Sequence, residues 1–197
     1  MQKPSIPRLL ELQSLLQQFS HVERVTHRQH HGRFVPENDT EHSYNLALTA
    51  WFLVQHFPKL NRDMVIRLAL VHDLVEVHAG DTNVYAAPEI LATKHAREAA
   101  ALQKLRLEWK DFPELLADIT AYEARESEEA KFVYALDKLM PIMLIFINKG
   151  HTWHQEGTSL EMLDAVKRSK VALSPEIKPY YDELYAVLLE HRHYFSS

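Results

Sequence analysis

Apolar residues recur three and four positions apart along most of the chain, and no segment alternates for long with period two. This pattern predicts helices throughout. Leu9, Leu12, Leu15, Leu16 and Phe19 form one stripe over residues 7–19. A polar, histidine-rich stretch at about 27–38 follows and reads as a solvated loop. Asp39 or Thr40 suits the N-cap of a second helix, which runs to about Phe57 ahead of Pro58. Asn61 caps a third, carrying Met64, Ile66, Leu68, Leu70 and Val71, and Gly80 ends it or begins the following turn. Residues 81–88 form a loop, and 89–109 a charged, alanine-rich helix. Pro113 opens a helix over 114–126. Ser127, with Glu128 and Glu129, starts another that stops at Gly150, and Pro141 inside it predicts a kink or break. Residues 151–159 read as a loop, and the last helices span about 160–171 and 175–193. Tyr44, Trp51, Phe52, Phe132 and Tyr134 share helical spacing, for which core packing is the default.

These elements add up to an all-α bundle of seven to nine helices. The 197 residues suit one domain, 1–197, long enough to bury a core without disulfides. There is no cysteine, which suits a reducing compartment and excludes thiolate zinc sites. The formal charge is −5 and no block of lysine or arginine stands out, which argues against long nucleic acid as a partner. Residues 1–16 lack the apolar run of a signal peptide, and residues 142–147, the greasiest run, are too short to span a bilayer. A cytoplasmic protein without membrane contact is expected.

Polar groups that interrupt apolar helical faces carry the chemistry. His72 and Asp73 lie within Ala69-Leu70-Val71-His72-Asp73-Leu74-Val75. A buried aspartate is costly unless it is paired or bound to a cation, and a histidine beside it can offer a neutral nitrogen to the same ion. His42 stands in the first turn of its helix, and Asp137 sits between Val133, Leu136, Leu139 and Met140. Each alone is weak, since single histidines on apolar helices are mostly hydrogen-bonded core residues and Asp137 beside Lys138 reads as an ion pair. Together they make a candidate ligand set of two histidines and two carboxylates, open to water or substrate oxygens. Such donors suit manganese, cobalt, nickel, iron or zinc better than calcium, and magnesium stays open. Glu76, one turn beyond His72, is placed to reach a water at the ion without being a ligand.

The order His, His-Asp, Asp resembles the HD superfamily of metal-dependent phosphohydrolases, and within it the 5'-deoxynucleotidase-like branch. The resemblance covers about residues 10–150, the expected metal-binding core. It rests on Glu-Asn-Asp-Thr-Glu-His-Ser at 37–43, His-Asp-Leu-Val-Glu at 72–76, Gly-Asp-Thr at 80–82 and Ala-Leu-Asp-Lys-Leu at 135–139. It implies that His42, His72, Asp73 and Asp137 hold one divalent metal ion. It implies that Glu76 does acid or base work and that Asp81 lies beside the reacting phosphate and sugar. It also implies an upstream arginine on the substrate phosphate: Arg28 first, with Arg24 close behind and Arg33 in the same region. Gln29, His30 and His31 stand where such nucleotidases carry an aromatic residue that helps exclude a ribose 2'-hydroxyl, so the ribose preference stays open. The typical dimer of the related enzymes implies a homodimer.

The expected activity is hydrolysis of nucleoside 5'-monophosphates, since few arginines near the motifs favour a substrate with one phosphate. A phosphodiesterase or pyrophosphohydrolase acting on a signalling nucleotide shares the same ligands, and a non-catalytic metal-binding helical protein is a third reading. His78, His95, His151 and His154 are candidates for a second metal, with surface or rim positions favoured for them. The segment from Leu160 onward carries no functional signal.

Overall fold

The computed structural model describes residues 3–196. Met1, Gln2 and Ser197, which the single-domain expectation includes, lie outside the described residues. The described residues hold eight α-helices of ten residues or more, two short ones, and one antiparallel hairpin. In chain order these are α1 (Ile6–Phe19), β1 (Glu23–His30), β2 (Arg33–Asn38), α2 (Asp39–Val54), α3 (Arg62–Val71), α4 (Glu76–Ala79), α5 (Pro88–Glu108), α6 (Pro113–Ala124), α7 (Glu128–Ile147), α8 (His151–Gln155), α9 (Leu160–Val171) and α10 (Lys178–Glu190).

The hairpin corrects the expected loop at 27–38. His31 and Gly32 both take positive φ, 48° and 76°, which is the twist that a two-residue hairpin connection needs. Pairing runs His27 to Pro36, Arg28 to Val35, Gln29 to Phe34 and His30 to Arg33, with an irregularity between Glu23 and His27. Pro36 is tolerated because in a two-stranded sheet both strands are edges.

Asn38 rather than Asp39 or Thr40 caps α2. Its side chain accepts from the Glu41 N–H at 3.0 Å, while the Glu41 carboxylate accepts from the Asn38 N–H at 3.3 Å. This capping box sets the first turn, and His42 follows immediately. The expected long helix 61–80 is broken instead. α3 ends at Val71, and Leu74, Glu76 and Val77 donate to carbonyls three residues back, a tighter winding that carries His72 and Asp73 between α3 and α4. α7 stays continuous through Pro141, whose missing N–H leaves the Asp137 carbonyl without its helical donor. Part of the expected loop 151–159 is helical, as α8.

Two apolar clusters form the interior. The larger joins α2, α3, α7, α9 and α10 around Leu46, Leu68, Phe132, Leu136, Leu163 and Tyr181. The smaller joins α1, α5 and α6 around Phe19, Leu74, Leu105, Trp109 and Ile119. Phe132 is buried as expected and Tyr134 is partly buried, but Tyr44, Trp51 and Phe52 are not core residues. They stand with Leu48 on the outer face of α2, Tyr44 at 65% exposure and Phe52 at 64%. The opposite face, with Leu46, Ala47, Ala50 and Val54, already fills the core side. Among the described residues no helix is long and apolar enough to cross a membrane.

Candidate metal centre

The seam between the two clusters is polar. His42 on α2, His72 and Asp73 after α3, and Asp137 on α7 each bring one donor atom into a group whose members all lie within 4.8 Å of one another. His42, His72 and Asp137 are buried. His72 Nδ1 donates to the Ala69 carbonyl at 2.9 Å, which fixes the tautomer and turns Nε2 inward. Nε2 then lies 2.9 Å from Asp73 Oδ2 and 3.7 Å from Asp137 Oδ1, yet it has no hydrogen bond. Close approach without hydrogen-bond alignment means that these groups face a common point rather than each other. Asp137 Oδ1 sits 3.0 Å from His42 Nε2, and Asp137 Oδ2 accepts from Lys138 at 2.6 Å and from the Tyr122 hydroxyl at 3.3 Å. An orphaned buried nitrogen amid two carboxylates and a second imidazole fits a divalent ion.

The charges respond to this crowding. Burial opposes a proton on His72, but Asp73 and Asp137 outweigh it and raise the imidazole to about 10. Burial likewise opposes ionisation of Asp137, which Lys138, His42 and His72 nonetheless hold well below the usual carboxylate range. Arg24 favours ionisation of Glu76 but is outweighed. Burial, then Asp73, Asp39 and Asp81, push its carboxyl up to about 11, and its Oε2 has no hydrogen-bond partner. A neutral carboxylic acid therefore stands beside the candidate ligands at neutral pH.

Arg24 and Arg28 part ways. Arg24 on β1 donates from Nη1 to Asp73 at 2.7 Å and to Asp39 at 2.9 Å, while its buried Nε has no hydrogen-bond partner. Arg28 instead pairs with Glu41, its Nε donating at 2.7 Å. The two are four residues apart, but the strand irregularity between Glu23 and His27 removes the shared face that this spacing implies. Arg33 lies at the exposed start of β2.

A cavity of about 690 Å³ opens over the cluster. Arg24, His72, Asp73, Glu76 and Asp81 line it, and Arg28 does not. Gly80, at φ 73°, turns the chain so that Asp81 reaches the wall. Arg97 clamps that turn, donating to the Ala79 carbonyl at 2.6 Å and to the Thr82 hydroxyl at 2.8 Å. Arg97, Asp39 and Tyr122 escape a reading of sequence because nothing in their local pattern separates them from ordinary helix and cap residues.

The remaining histidines stay apart from the cluster. His78 pairs with Glu108 at 2.9 Å, His151 stacks on Phe34, and His95 is an exposed residue of the cavity rim. His27 is no loop residue: its N–H donates to Thr152 at 3.0 Å, tying the hairpin to α8. Among the described residues the other carboxylate group of metal-like geometry is Asp39, Asp73 and Glu76, which contains no histidine and which Arg24 already bridges.

The model of the HD domain family matches residues 16–178, and the chain belongs to that family. It is similar to 5'-deoxynucleotidase HDDC2 of Mus musculus, 39% identical over 111 residues, which cover 55% of this chain and 54% of that protein. The human protein of the same name is 37% identical over 111 residues, 55% of this chain and 52% of that protein. The match thus spans about half the length of these curated relatives. A solved structure described as a predicted metal-dependent phosphohydrolase from Magnetospirillum magnetotacticum shares the fold, with a TM-score of 0.78 and 28% identity over 98% of this chain and 99% of that one.

Proposed function

We propose that this chain is a metal-dependent phosphomonoesterase that hydrolyses nucleoside 5'-monophosphates, deoxynucleotides included. One observation carries the reading: a convergent His42, His72, Asp73 and Asp137 cluster beneath an open cavity, with an uncharged Glu76 beside it. The 5'-deoxynucleotidase names of the relatives support the substrate class.

A divalent ion held by these four side chains supplies Lewis-acid chemistry, lowering the pKa of a water and offsetting charge on phosphoryl oxygens. The protein's own groups do the rest. Arg24, rather than Arg28, holds phosphate oxygens, which its place in the cavity wall supports. Water attacks phosphorus, the bond to the sugar oxygen breaks, and Glu76 gives its proton to that departing oxygen; one proton of the attacking water stays on the released phosphate and the other returns to the Glu76 carboxylate. Asp81 holds the attacking water or a sugar hydroxyl. Lys138 keeps Asp137 ionised and oriented. The reading treats the chain as one domain in the cytoplasm. It includes a homodimer through the exposed face of α2, which the apolar Tyr44, Leu48, Trp51 and Phe52 favour and which light scattering of a Trp51→Glu variant tests.

The test is phosphate release after metal is stripped and manganese, cobalt, nickel, iron, zinc or magnesium is added back singly. Metal-dependent release from ribo- or deoxyribonucleoside 5'-monophosphates is expected. Cleavage of cyclic nucleotides or other diesters alone overturns the reading in favour of a phosphodiesterase. Tight metal binding with no turnover of any nucleotide overturns it in favour of a binding protein.

A further inference from the structure

α9 carries no motif, yet it forms a wall of the cavity. Leu163, Lys167 and Lys170 line it, at helical spacings that put them on one face. α7 meets that face with Tyr134, Lys138, Pro141 and Ile145. α9 adds two lysines and no acid to the lining, which elsewhere includes Glu123 and Glu156. The cations Lys138, Lys170 and Arg24 act on Lys167, and Asp137, which acts on it in the opposite sense, already accepts from Lys138. Lys170 likewise feels Lys138, Lys94 and Arg125, opposed by Asp137. Neither lysine forms a salt bridge among the described residues, whereas Lys94, across the cavity, is matched by Glu98 at 3.2 Å.

Converging cations in a partly enclosed space repel one another and are stabilised by an anion from outside. Burial without a partner shows in Lys167, whose ammonium is lowered to about 7. The reacting phosphate already has the candidate metal cluster and Arg24, so the α9 lysines add capacity for a further anion. The cavity, at about 690 Å³, is large enough for a nucleotide with an additional phosphate.

We propose that Lys167 and Lys170, beside Lys138, form a second anion subsite, and that the favoured substrate is a nucleotide carrying a second phosphate group besides the one hydrolysed. This rests on the phosphomonoesterase reading and narrows its substrate class. The second phosphate is carried at another position on the sugar, so that the bond hydrolysed remains the phosphomonoester at the 5' oxygen.

Calorimetry on the metal-loaded protein tests this by comparing a nucleoside 5'-monophosphate, the 3',5'-bisphosphate and the 5'-diphosphate, with Glu76→Gln slowing turnover. The 3',5'-bisphosphate is expected to bind about tenfold or more tightly than the monophosphate, and a preference for the 5'-diphosphate alone overturns the proposal. The Lys167→Met/Lys170→Met variant is expected to lose that preference. Lys170→Gln alone gives the same comparison should the double variant fail to fold. Equal binding of all three ligands by the parent protein overturns the subsite. So does an equal loss for all three in the variants, which would assign the lysines to the reacting phosphate. Wild-type phosphate release from the monophosphate, measured separately, tests the phosphomonoesterase reading, so failure of one is distinguishable from failure of the other.

Discussion

His72 keeps its proton in the metal-free protein because Asp73 and Asp137 outweigh its burial. Its folded value of about 10 exceeds the ordinary value of 6.5. The stabilisation that this proton gives the metal-free fold is therefore complete below about 6.5 and is lost as pH rises through about 10. A metal ion needs the neutral nitrogen, so binding must expel the proton. Apparent metal affinity should rise about tenfold per pH unit across the neutral range, with about one proton released per ion. Calorimetry in buffers of different ionisation enthalpy reads both, and a flat affinity would sink this assignment of Nε2. Glu76 behaves in the opposite way, since burial and then the surrounding carboxylates keep it neutral. Glu76→Gln keeps that neutrality and volume but cannot give up a proton. It should retain metal and fold while kcat falls about 10²- to 10⁴-fold, whereas Asp73→Ala should lose the metal itself. Loss of metal from the Glu76→Gln protein would make Glu76 a ligand instead.

Elements turn these residues into a site, and here legibility in the sequence divides sharply. His42, His72, Asp73 and Asp137 were visible because each breaks an apolar helical face, and a buried polar group demands a partner. The long helices were visible through their spacing. The β1–β2 hairpin was not, because its register depends on two positive-φ residues at His31 and Gly32, and its strands are too polar to alternate. The choice of Arg24 over Arg28 hangs on that same hairpin's irregularity. The α9 lysines were invisible for another reason: a lysine on an amphipathic helix looks solvated until the neighbouring helix is known. α8 shows how tightly the cavity wall is built. Trp153 lines the cavity and stacks on Phe195 at 4.1 Å, and Gly150, at φ 78°, lets the chain pass the Tyr194 backbone. A Cβ there would meet the Tyr194 carbonyl oxygen at 2.0 Å. Gly150→Ala should cost about 2 kcal/mol or more and lower Tm by about 4–8 °C. Gly32→Ala, with the same sign of φ but nothing within 4 Å, should cost about 1–2 kcal/mol. Equal Tm losses in thermal melts would show that backbone strain, not the close approach, governs Gly150.

Across the whole molecule, the two apolar clusters meet where the candidate ligands sit. Leu68 and Ala69 belong to one cluster and Leu74 and Val75 to the other, with His72 and Asp73 between them. The fold thus gathers buried ionisable side chains at the junction of its two cores. Without an ion, His72 Nε2 lacks a hydrogen bond and carboxylates on three segments crowd one another. Unfolding separates these groups and destroys the cluster, so an ion that binds only the folded chain stabilises both cores together. At roughly a thousandfold excess of ion over Kd this linkage is worth about 4 kcal/mol, and in a chain of this size Tm should rise by about 8–16 °C. The rise should follow the logarithm of ion concentration and disappear with chelator. Asp137→Asn removes a ligand charge from the α7 side and should abolish most of the rise, whatever it does to the metal-free Tm. An undiminished metal-dependent rise in that variant would mean that the ion binds elsewhere. A rise confined to one of two separate unfolding transitions would mean that the cores are not joined through this site.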